Sequence, residues 1–362
     1  MDYKKVFTFA GAFIAYLIGS GFATGQEVLQ YFTSYGYWGI AGVLVTLLLL
    51  MYVGYSFITV GQREQFERGS DIYKYYCGNI LGNFYDYFSI VFIYLSFIVM
   101  VAGAGATLNQ HYGQPVVVGG TIMTIIVTLV VLMGLNKIVD IIGKIGPIIV
   151  FMSIAVGAIT LFMNFGHIGE ASRSIPDMNI MQASSNWFMA ATSYVGFCML
   201  WLASFLASMG ATADSKKQAG MGAIIGATLF SIAVGVVAMG LLSVIELVGK
   251  SEIPMLIMSG NISPFLATVF SIIVYCGIFT TAVPLLWSAS SRFTEDKSKN
   301  FKVLTIVLAV VGLIVGVKLP FSKLVNVVYV LNGYVGAALL VIMIVKDIKK
   351  IVTKTASEEE AA

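Results

Sequence analysis

The chain has 362 residues, of which 58% are hydrophobic and 11% are charged, and its mean hydropathy is +0.91. Because a soluble globular protein carries about 25% charged residues, this composition predicts a membrane protein. The formal net charge of +3 gives no support to nucleic-acid binding. The three cysteines, Cys77, Cys198 and Cys276, have no CxxC spacing, and the two histidines, His111 and His167, lie in predicted loops. This pattern argues against a disulfide framework and against zinc or redox chemistry.

Windows free of Asp, Glu, Lys and Arg predict the membrane-spanning helices, since a helix needs about 20 apolar residues to cross a bilayer. One window is too long for a single helix, and the polar stretch 109–115 divides it. The ten predicted spans are 6–32, 38–61, 84–108, 116–135, 144–163, 185–209, 219–248, 264–291, 302–317 and 323–346. We therefore predict an all-α polytopic membrane protein with one transmembrane domain over residues 1–362.

The basic residues predict the orientation, because Lys and Arg near helix ends are retained on the cytoplasmic side. With the N-terminus inside, 17 of the 21 Lys and Arg residues lie in cytoplasmic segments and four lie outside. Both termini are therefore predicted to be cytoplasmic. The first span has no cleavage pattern of a signal peptide and is expected to remain as an anchor. Residues 347–362 are expected to form a cytoplasmic tail.

The first span has a weak point near its middle. Gly19, Gly21 and Gly25 fall within seven residues, and each weakens a helix by about 1 kcal/mol relative to Ala. At about 1.5 Å per residue, Gly19 lies roughly halfway across the hydrocarbon core. The pattern from Thr24 to Glu27 fits a capping box, which begins a new helix. Since unpaired backbone survives in lipid only where protein, ligand or water supplies partners, the sequence predicts a binding site here.

Simpler interpretations of these residues stay open. Glycines in membrane helices often allow close helix packing without any break. Glu27 is either a cap that interacts favourably with a helix N-terminus or a group used in proton coupling or gating.

The motif Gly-Ser-Gly-Phe-Ala-Thr-Gly at 19–25, followed by ten spans in all, resembles the amino acid/polyamine/organocation transporter superfamily. More narrowly, the chain resembles the uncharacterised YkvI-type bacterial membrane proteins. The superfamily shares the five-plus-five inverted repeat of the neurotransmitter:sodium symporters, which implies repeats at about 6–163 and 185–346 in a bacterial cytoplasmic membrane. The repeat also implies that spans 1 and 6 are both interrupted at the membrane midplane. Gly196, midway along span 6, permits such a break but has no following cap.

The resemblance implies a solute site and a cation site at these breaks. Helix N-termini favour a carboxylate and helix C-termini favour a cation, which suits a zwitterion plus a metal ion. The implied substrate-binding residues are Ser20, Gly21, Thr24, Gly25, Tyr194, Gly196 and Phe197. The implied ligands of a monovalent cation are the carbonyls of Gly19, Phe22 and Gly277 and the hydroxyls of Thr280 and Thr281. Adjacent threonines also commonly bond back to carbonyls one turn earlier, without any ligand.

The coupling ion stays open between Na⁺ and H⁺. Some proton-coupled relatives place a lysine of span 5 near the cation site, where Lys144 would match. Lys144 also follows Asp140 by four residues, and an i,i+4 pair of opposite charges at the cytoplasmic edge is the simpler explanation, which favours a structural role. Glu27 and Lys144 are thus the candidate coupling or gating residues, and no cofactor and no other metal are expected.

Together these features predict a secondary active transporter of a small amino acid or related amine, coupled to Na⁺ or H⁺ through alternating access. The absence of a GxxxxGK[ST] motif argues against an ATP-driven pump. An intramembrane enzyme would need several catalytic groups at depth, whereas Glu27 is the one acidic residue well inside a span. The alternatives are a ligand sensor that kept the transporter fold without net transport and, with less support, a channel.

Overall fold

The computed structural model describes the backbone of residues 2–133 and 135–359, and all their side chains except those of Ser20, 135–147, Ile351 and 354–359. Regular structure in these residues is helical throughout. The α-helices are α1 (Tyr3–Leu17), α2 (Ser20–Thr24), α3 (Gln26–Tyr31), α4 (Tyr37–Glu64), α5 (Asp71–Tyr112), α6 (Val116–Met133), α7 (Leu135–Met163), α8 (Ile168–Met178), α9 (Trp187–Ala211), α10 (Lys216–Leu242), α11 (Ile245–Val248), α12 (Pro254–Ile262), α13 (Pro264–Ser291), α14 (Lys299–Gly316) and α15 (Phe321–Glu359).

Several of these helices are long and apolar enough to cross a membrane. Within the described residues there are eight, namely α4, α5, α6, α9, α10, α13, α14 and α15, the last over Phe321–Lys350. A ninth is counted if Ile148–Met163 and Phe165–Met178, which meet at 72°, form one bent span. The chain is therefore an all-helical membrane protein.

The outer helices α6 and α14 show where the bilayer lies. Large apolar side chains on both helices are exposed, among them Ile125, Leu129, Ile306 and Val310. A soluble surface does not carry apolar rows of this kind, whereas the hydrocarbon of a bilayer accommodates them. The short helix α8 differs, because Ile168, Ala171 and Ile175 are buried on one face and its charged residues face outward.

The first predicted span consists of three short helices. Helix α1 ends at Leu17, and Ile18 leaves helical conformation with ψ of 79°. Helix α2 follows from Gly19, which is extended with φ −93° and ψ −166°. Gly25 then adopts a left-handed conformation with φ +82°, which favours glycine, before α3 begins. The chain thus turns twice within a segment that a plain span would cross as one helix.

The capping box predicted from Thr24 to Glu27 is wrong. Helix α3 has Gly25 as its N-cap and no side-chain capping bond. The Thr24 hydroxyl instead donates to the Gly21 carbonyl at 2.9 Å and accepts from the Gln26 amide at 3.4 Å. Because Gly25 takes the left-handed conformation, Thr24 belongs to the preceding turn and Glu27 is released from a capping role.

The predicted interruption of span 6 is also wrong, because α9 runs unbroken from Trp187 to Ala211. Gly196 serves packing instead. A Cβ atom on Gly196 would lie 2.0 Å from the Gly333 carbonyl oxygen of α15, and one on Gly336 would lie 1.9 Å from the Gly196 oxygen. Missing side chains on both helices let the two backbones touch, as small residues commonly do in membrane helix pairs.

Helix α9 lies at the centre of the fold. It packs against α4 and α15, and it also contacts α1 and α5. Helix α13 packs against α5 and α7 and contacts α2. The residues around the break in the first span therefore lie between α9 on one side and α13 on the other.

Candidate functional site

A cavity of about 340 Å³ lies beside the break in the first span. Its walls come from α1, α2, α3, α5, α9, α13 and α15. The lining residues are Gly11, Ala12, Ala15, Tyr16, Ile18, Gly19, Gly21, Glu27, Ile93, Met100, Trp201, Thr280, Thr281, Pro284, Leu285, Ser288 and Tyr329. The volume is within the range of small-molecule sites, roughly 300–1,000 Å³. Helices distant in sequence thus converge on the interrupted segment.

Thr281 of α13 lies beside Gly19 in the break. A Cβ atom on Gly19 would lie 3.4 Å from both Cγ2 and Oγ1 of Thr281, which is ordinary van der Waals contact. The structure therefore brings together two groups that were predicted as ligands of one cation, although they are more than 260 residues apart in sequence.

The other predicted cation ligands already have hydrogen-bond partners. The hydroxyls of Thr280 and Thr281 both donate to the Gly277 carbonyl at 3.0 Å, as adjacent threonines commonly do. The carbonyls of Gly19 and Phe22 accept from the amides of Ala23 and Gly25 at 3.1 and 3.0 Å. Lone pairs of the two threonine oxygens stay available at the cavity wall, whereas Gly277 is not among the described lining residues.

Glu27 places a carboxyl group at the cavity. Its side chain is only 3% exposed, and it folds back onto Gly21, where an added Cβ atom would lie 1.5 Å from Oε1. Among the side chains that the structure describes, no basic residue forms an ion pair with it. Glycine at 21 is therefore required by the space that this carboxyl group occupies.

The remaining predicted residues of the first span are placed differently. Thr24 is buried and bonded to the Gly21 carbonyl, and it does not line the cavity as described. Gly25 faces α12, since a Cβ atom there would lie 2.6 Å from Cγ of Met255. The side chains of Ser20 and Lys144 lie outside the described residues, so their predicted roles stay predictions.

The residues predicted on span 6 belong to an aromatic cluster behind the cavity lining, where the Phe197 ring packs on the lining residues Trp201 and Tyr329 at 5.3 and 5.0 Å. The Tyr194 ring lies 4.9 Å from the rings of Phe32 and Phe197 and 5.3 Å from that of Tyr31. All four side chains are buried. Gly196 is occupied by its contact with α15, so these three positions support the site from behind, and their substrate contacts stay a prediction.

Twelve of the seventeen described lining residues were not predicted as site residues, among them the aromatic residues Trp201 of α9 and Tyr329 of α15. Their rings meet edge to face at 5.5 Å, and Trp201 also stacks on Phe92 at 5.3 Å. The Trp201 Nε1 and Tyr329 hydroxyl groups are buried and have no hydrogen-bond partner. Buried donors of this kind usually have a partner. The signal available in the sequence was a Trp or Tyr, whose ring carries a polar group, in the middle of a span. The chain has 18 tyrosines and four tryptophans, so this signal alone does not single out Trp201 and Tyr329.

An ion pair outside the spans holds the start of α1. Lys5 Nζ donates to Asp214 Oδ1 at 2.7 Å, which ties α1 to the loop between α9 and α10. The hydrogen bond from Lys5 lowers the pKa of the Asp214 carboxyl. This exposed contact lies at the end of the first span that is far from the break.

Solved structures with the same fold are transporters. MhsT, solved in complex with L-phenylalanine, matches with a TM-score of 0.54 at 15% identity, over 92% of this chain and 87% of that one. A manganese transporter of Eremococcus coleocola matches with 0.63 at 13% identity, over 94% and 78%. A Na⁺-coupled sialic acid symporter matches with 0.54 at 14% identity, over 94% and 85%. The chain therefore has the fold of this class of transporters.

Two relatives from Bacillus subtilis match nearly the whole chain. The membrane protein YkvI is 22% identical over 334 residues, covering 91% of this chain and 93% of the relative. The protein YyaD is 24% identical over 332 residues, covering 92% and 94%. No family profile matches the chain. The chain is a homologue of YkvI and YyaD, which confirms the resemblance to YkvI-type membrane proteins.

Proposed function

We propose that the protein is a secondary active transporter that moves a small amino acid or related amine by alternating access, coupled to Na⁺ or H⁺. The observation that carries the proposal is the interrupted first span, whose backbone borders a cavity and contacts Thr281 of α13. The structural neighbours, which include a Na⁺-coupled sialic acid symporter, support the same function.

We infer ten spans in a five-plus-five arrangement, with α1–α3 as the first span and α7 as the fifth. The distribution of basic residues supports cytoplasmic termini in a bacterial cytoplasmic membrane. In this orientation, the cavity residues Ala15 and Ser288 lie on the cytoplasmic side of the break. On the outer side every residue from Gln26 to Ser34 is buried. The arrangement therefore corresponds to an inward-facing state.

Two groups at the cavity support coupling to a monovalent cation. The Gly19 backbone and the hydroxyl oxygens of Thr280 and Thr281 offer neutral oxygen ligands suited to Na⁺. Glu27 offers a buried carboxyl group, and a buried carboxylate requires a proton or a cation partner. Na⁺ at the oxygens and H⁺ at Glu27 are the two forms of coupling to be distinguished.

Uptake into proteoliposomes tests the proposal. We expect a labelled pool of amino acids and amines to yield at least one solute whose accumulation requires an imposed Na⁺ or H⁺ gradient and collapses when an ionophore dissipates it. Gly21→Leu should abolish uptake, because a side chain there collides with Glu27. Gly166→Leu is the matched control, since nothing lies within 4 Å of a Cβ atom at Gly166.

Two results would contradict transport. One is the absence of gradient-dependent accumulation for every amino acid and amine in the pool. The other is uptake by Gly21→Leu at the rate of the unsubstituted chain. Ligand binding without flux would favour the sensor instead.

A further inference from the structure

The described lining of the cavity has one charged residue, and it is acidic. Glu27 is the single acidic residue among the described lining residues, and these include no Lys, Arg or His. An anionic group of a solute would therefore meet a carboxyl group with no described cation beside it. A cationic group would instead supply the partner that a buried carboxylate lacks.

The position of the Glu27 carboxyl group strengthens this asymmetry. It lies directly against the Cα atom of Gly21, within the interrupted segment itself. A solute that approaches the backbone of the break thus reaches the carboxyl group of the protein first. The space beside Gly21 in which a solute carboxylate would contact that backbone is already filled.

The rest of the wall is suited to an organic cation. Rings of Tyr16, Trp201 and Tyr329 line the cavity together with the apolar side chains of Ile18 and Leu285. Aromatic faces attract ammonium groups within about 6 Å, and more strongly where water is excluded. Stacking fixes two of these rings, Tyr16 on Phe205 at 4.2 Å and Trp201 on Phe92 at 5.3 Å. Little ordering of these rings is needed when a ligand binds.

A multivalent metal ion does not fit the same wall. No group of three or more His, Cys, Asp and Glu side chains that is able to hold a metal occurs in the described residues. One carboxyl group, with the neutral hydroxyl groups of Thr280, Thr281 and Ser288 on the same wall, provides too few charged oxygen ligands for a divalent ion, which takes about six ligands. The chemistry favours a singly charged ion with an apolar body.

We propose that the cavity binds a small organic ammonium ion that carries no carboxylate, with its ammonium group at Glu27 and its hydrocarbon portion against Trp201 and Tyr329. This inference rests on the proposed function and selects the amine over the amino acid as its solute. The zwitterion expected from the sequence assumed free helix termini on two broken spans, whereas α9 is continuous and Glu27 occupies the first break.

Equilibrium binding to the purified full-length protein tests the inference with three matched probes. Isopentylamine, L-leucine and 3-methylbutan-1-ol share one branched alkyl group and differ in charge. At pH 7 we expect the amine to bind roughly tenfold or more tightly than either the zwitterion or the alcohol, because it alone offers an uncompensated positive charge to a buried carboxyl group. This ranking needs no variant, and binding of leucine as tight as that of the amine would overturn the inference.

Variants then locate the binding. Glu27→Gln should weaken amine binding roughly tenfold or more and remove the preference over the alcohol. Glu246→Gln, an exposed acidic residue outside this cavity, should leave binding unchanged. Trp201→Leu should weaken amine binding with the carboxyl group intact. Unaltered amine binding by folded Glu27→Gln, judged by gel filtration, would place the ligand elsewhere.

The outcome for the ligand is separable from the outcome for transport. Selective amine binding without gradient-driven uptake would contradict the proposed function and leave the ligand assignment standing. Gradient-driven uptake of leucine with weak amine binding would contradict the ligand assignment and leave the proposed transport function standing.

Discussion

Gly21 illustrates how the absence of one side chain shapes the site. Its Cα hydrogen is what allows the Glu27 carboxyl group to lie inside the first span, since a Cβ atom would overlap with Oε1. Gly196 has to be small for a different reason, which is its backbone contact with α15. Two glycines at mid-span thus have unlike roles, one beside the cavity and one in the contact between α9 and α15.

Substitution of Gly196 tests the packing assignment. Gly196→Ala should destabilise the protein by about 1–3 kcal/mol, because its methyl group meets backbone that cannot rotate away. Gly235→Ala in α10 is the control, since a Cβ atom there would lie 3.6 Å from the side chain of Val43, which is ordinary van der Waals contact. Thermal unfolding followed by tryptophan fluorescence should show a lower midpoint for Gly196→Ala alone. Equal midpoints would show that α9 and α15 separate readily.

The threonine at the break tests the cation site. Thr281→Val keeps the shape and removes the oxygen, so it should raise the Na⁺ concentration for half-maximal uptake roughly tenfold if Na⁺ is the coupling ion. Thr281→Ser should stay near the unsubstituted value. Thr228→Val is the control, because Thr228 makes the same bond to a carbonyl four residues earlier, the Ile224 oxygen at 2.8 Å. Unchanged Na⁺ dependence in Thr281→Val would remove this oxygen from the site.

At the scale of elements, α3 is held closed by amide side chains. Gln30 Nε2 donates to the Ser322 carbonyl at 2.9 Å, and Asn326 Nδ2 donates to Gln30 Oε1 at 3.0 Å. Glu252 in turn accepts from the Ser322 amide at 2.7 Å. These bonds join α3 to the start of α15 and to the segment before α12. Neutral amides exchange such bonds for water at small net cost, which suits the repeated opening that the proposed alternating access requires.

Removal of one amide tests this closure. Asn326→Ala should make opening of α3 roughly fivefold more frequent, since one net hydrogen bond contributes about 1 kcal/mol. Hydrogen exchange of a peptide covering 26–36 should accelerate to match. Asn109→Ala, which loses a bond to the Gln114 carbonyl in another loop, should leave that peptide unchanged. Exchange that is insensitive to Asn326→Ala would assign the closure to apolar burial alone.

The elements also show what a sequence reveals about such a fold. Charge-free windows predicted the long spans closely, for instance 38–61 against Tyr37–Glu64 and 264–291 against Pro264–Ser291, because hydrocarbon excludes charge over a fixed length. Glycine spacing also indicated a weak point near Gly19. The continuity of α9 and the entry of Trp201 and Tyr329 into the cavity depend on contacts between helices distant in sequence, which no local pattern encodes.

At the scale of the whole molecule, the proposed inward-facing state has a direct test. Ala15 is exposed at the cavity, so Ala15→Cys, with the three native cysteines replaced by serine, should react with a membrane-impermeant maleimide in inside-out vesicles. Right-side-out vesicles should react far more slowly. Ala23→Cys is the control, because Ala23 is fully buried and should resist labelling from both sides. Faster labelling of Ala15→Cys in right-side-out vesicles would reverse the proposed orientation.

The close contact of Gly196 in α9 with Gly333 and Gly336 in α15 has a mechanical consequence. Because their backbones touch at Gly196, Gly333 and Gly336, we expect α9 and α15 to move as one unit, and we expect much of the bending to occur at the interrupted first span. A transport cycle in which few lipid-facing helices move should disturb few of the lipids that surround the protein. We therefore expect the turnover of the proposed transporter to depend only weakly on the acyl-chain length of the lipids, in contrast to a transporter in which one half of the protein rocks against the other.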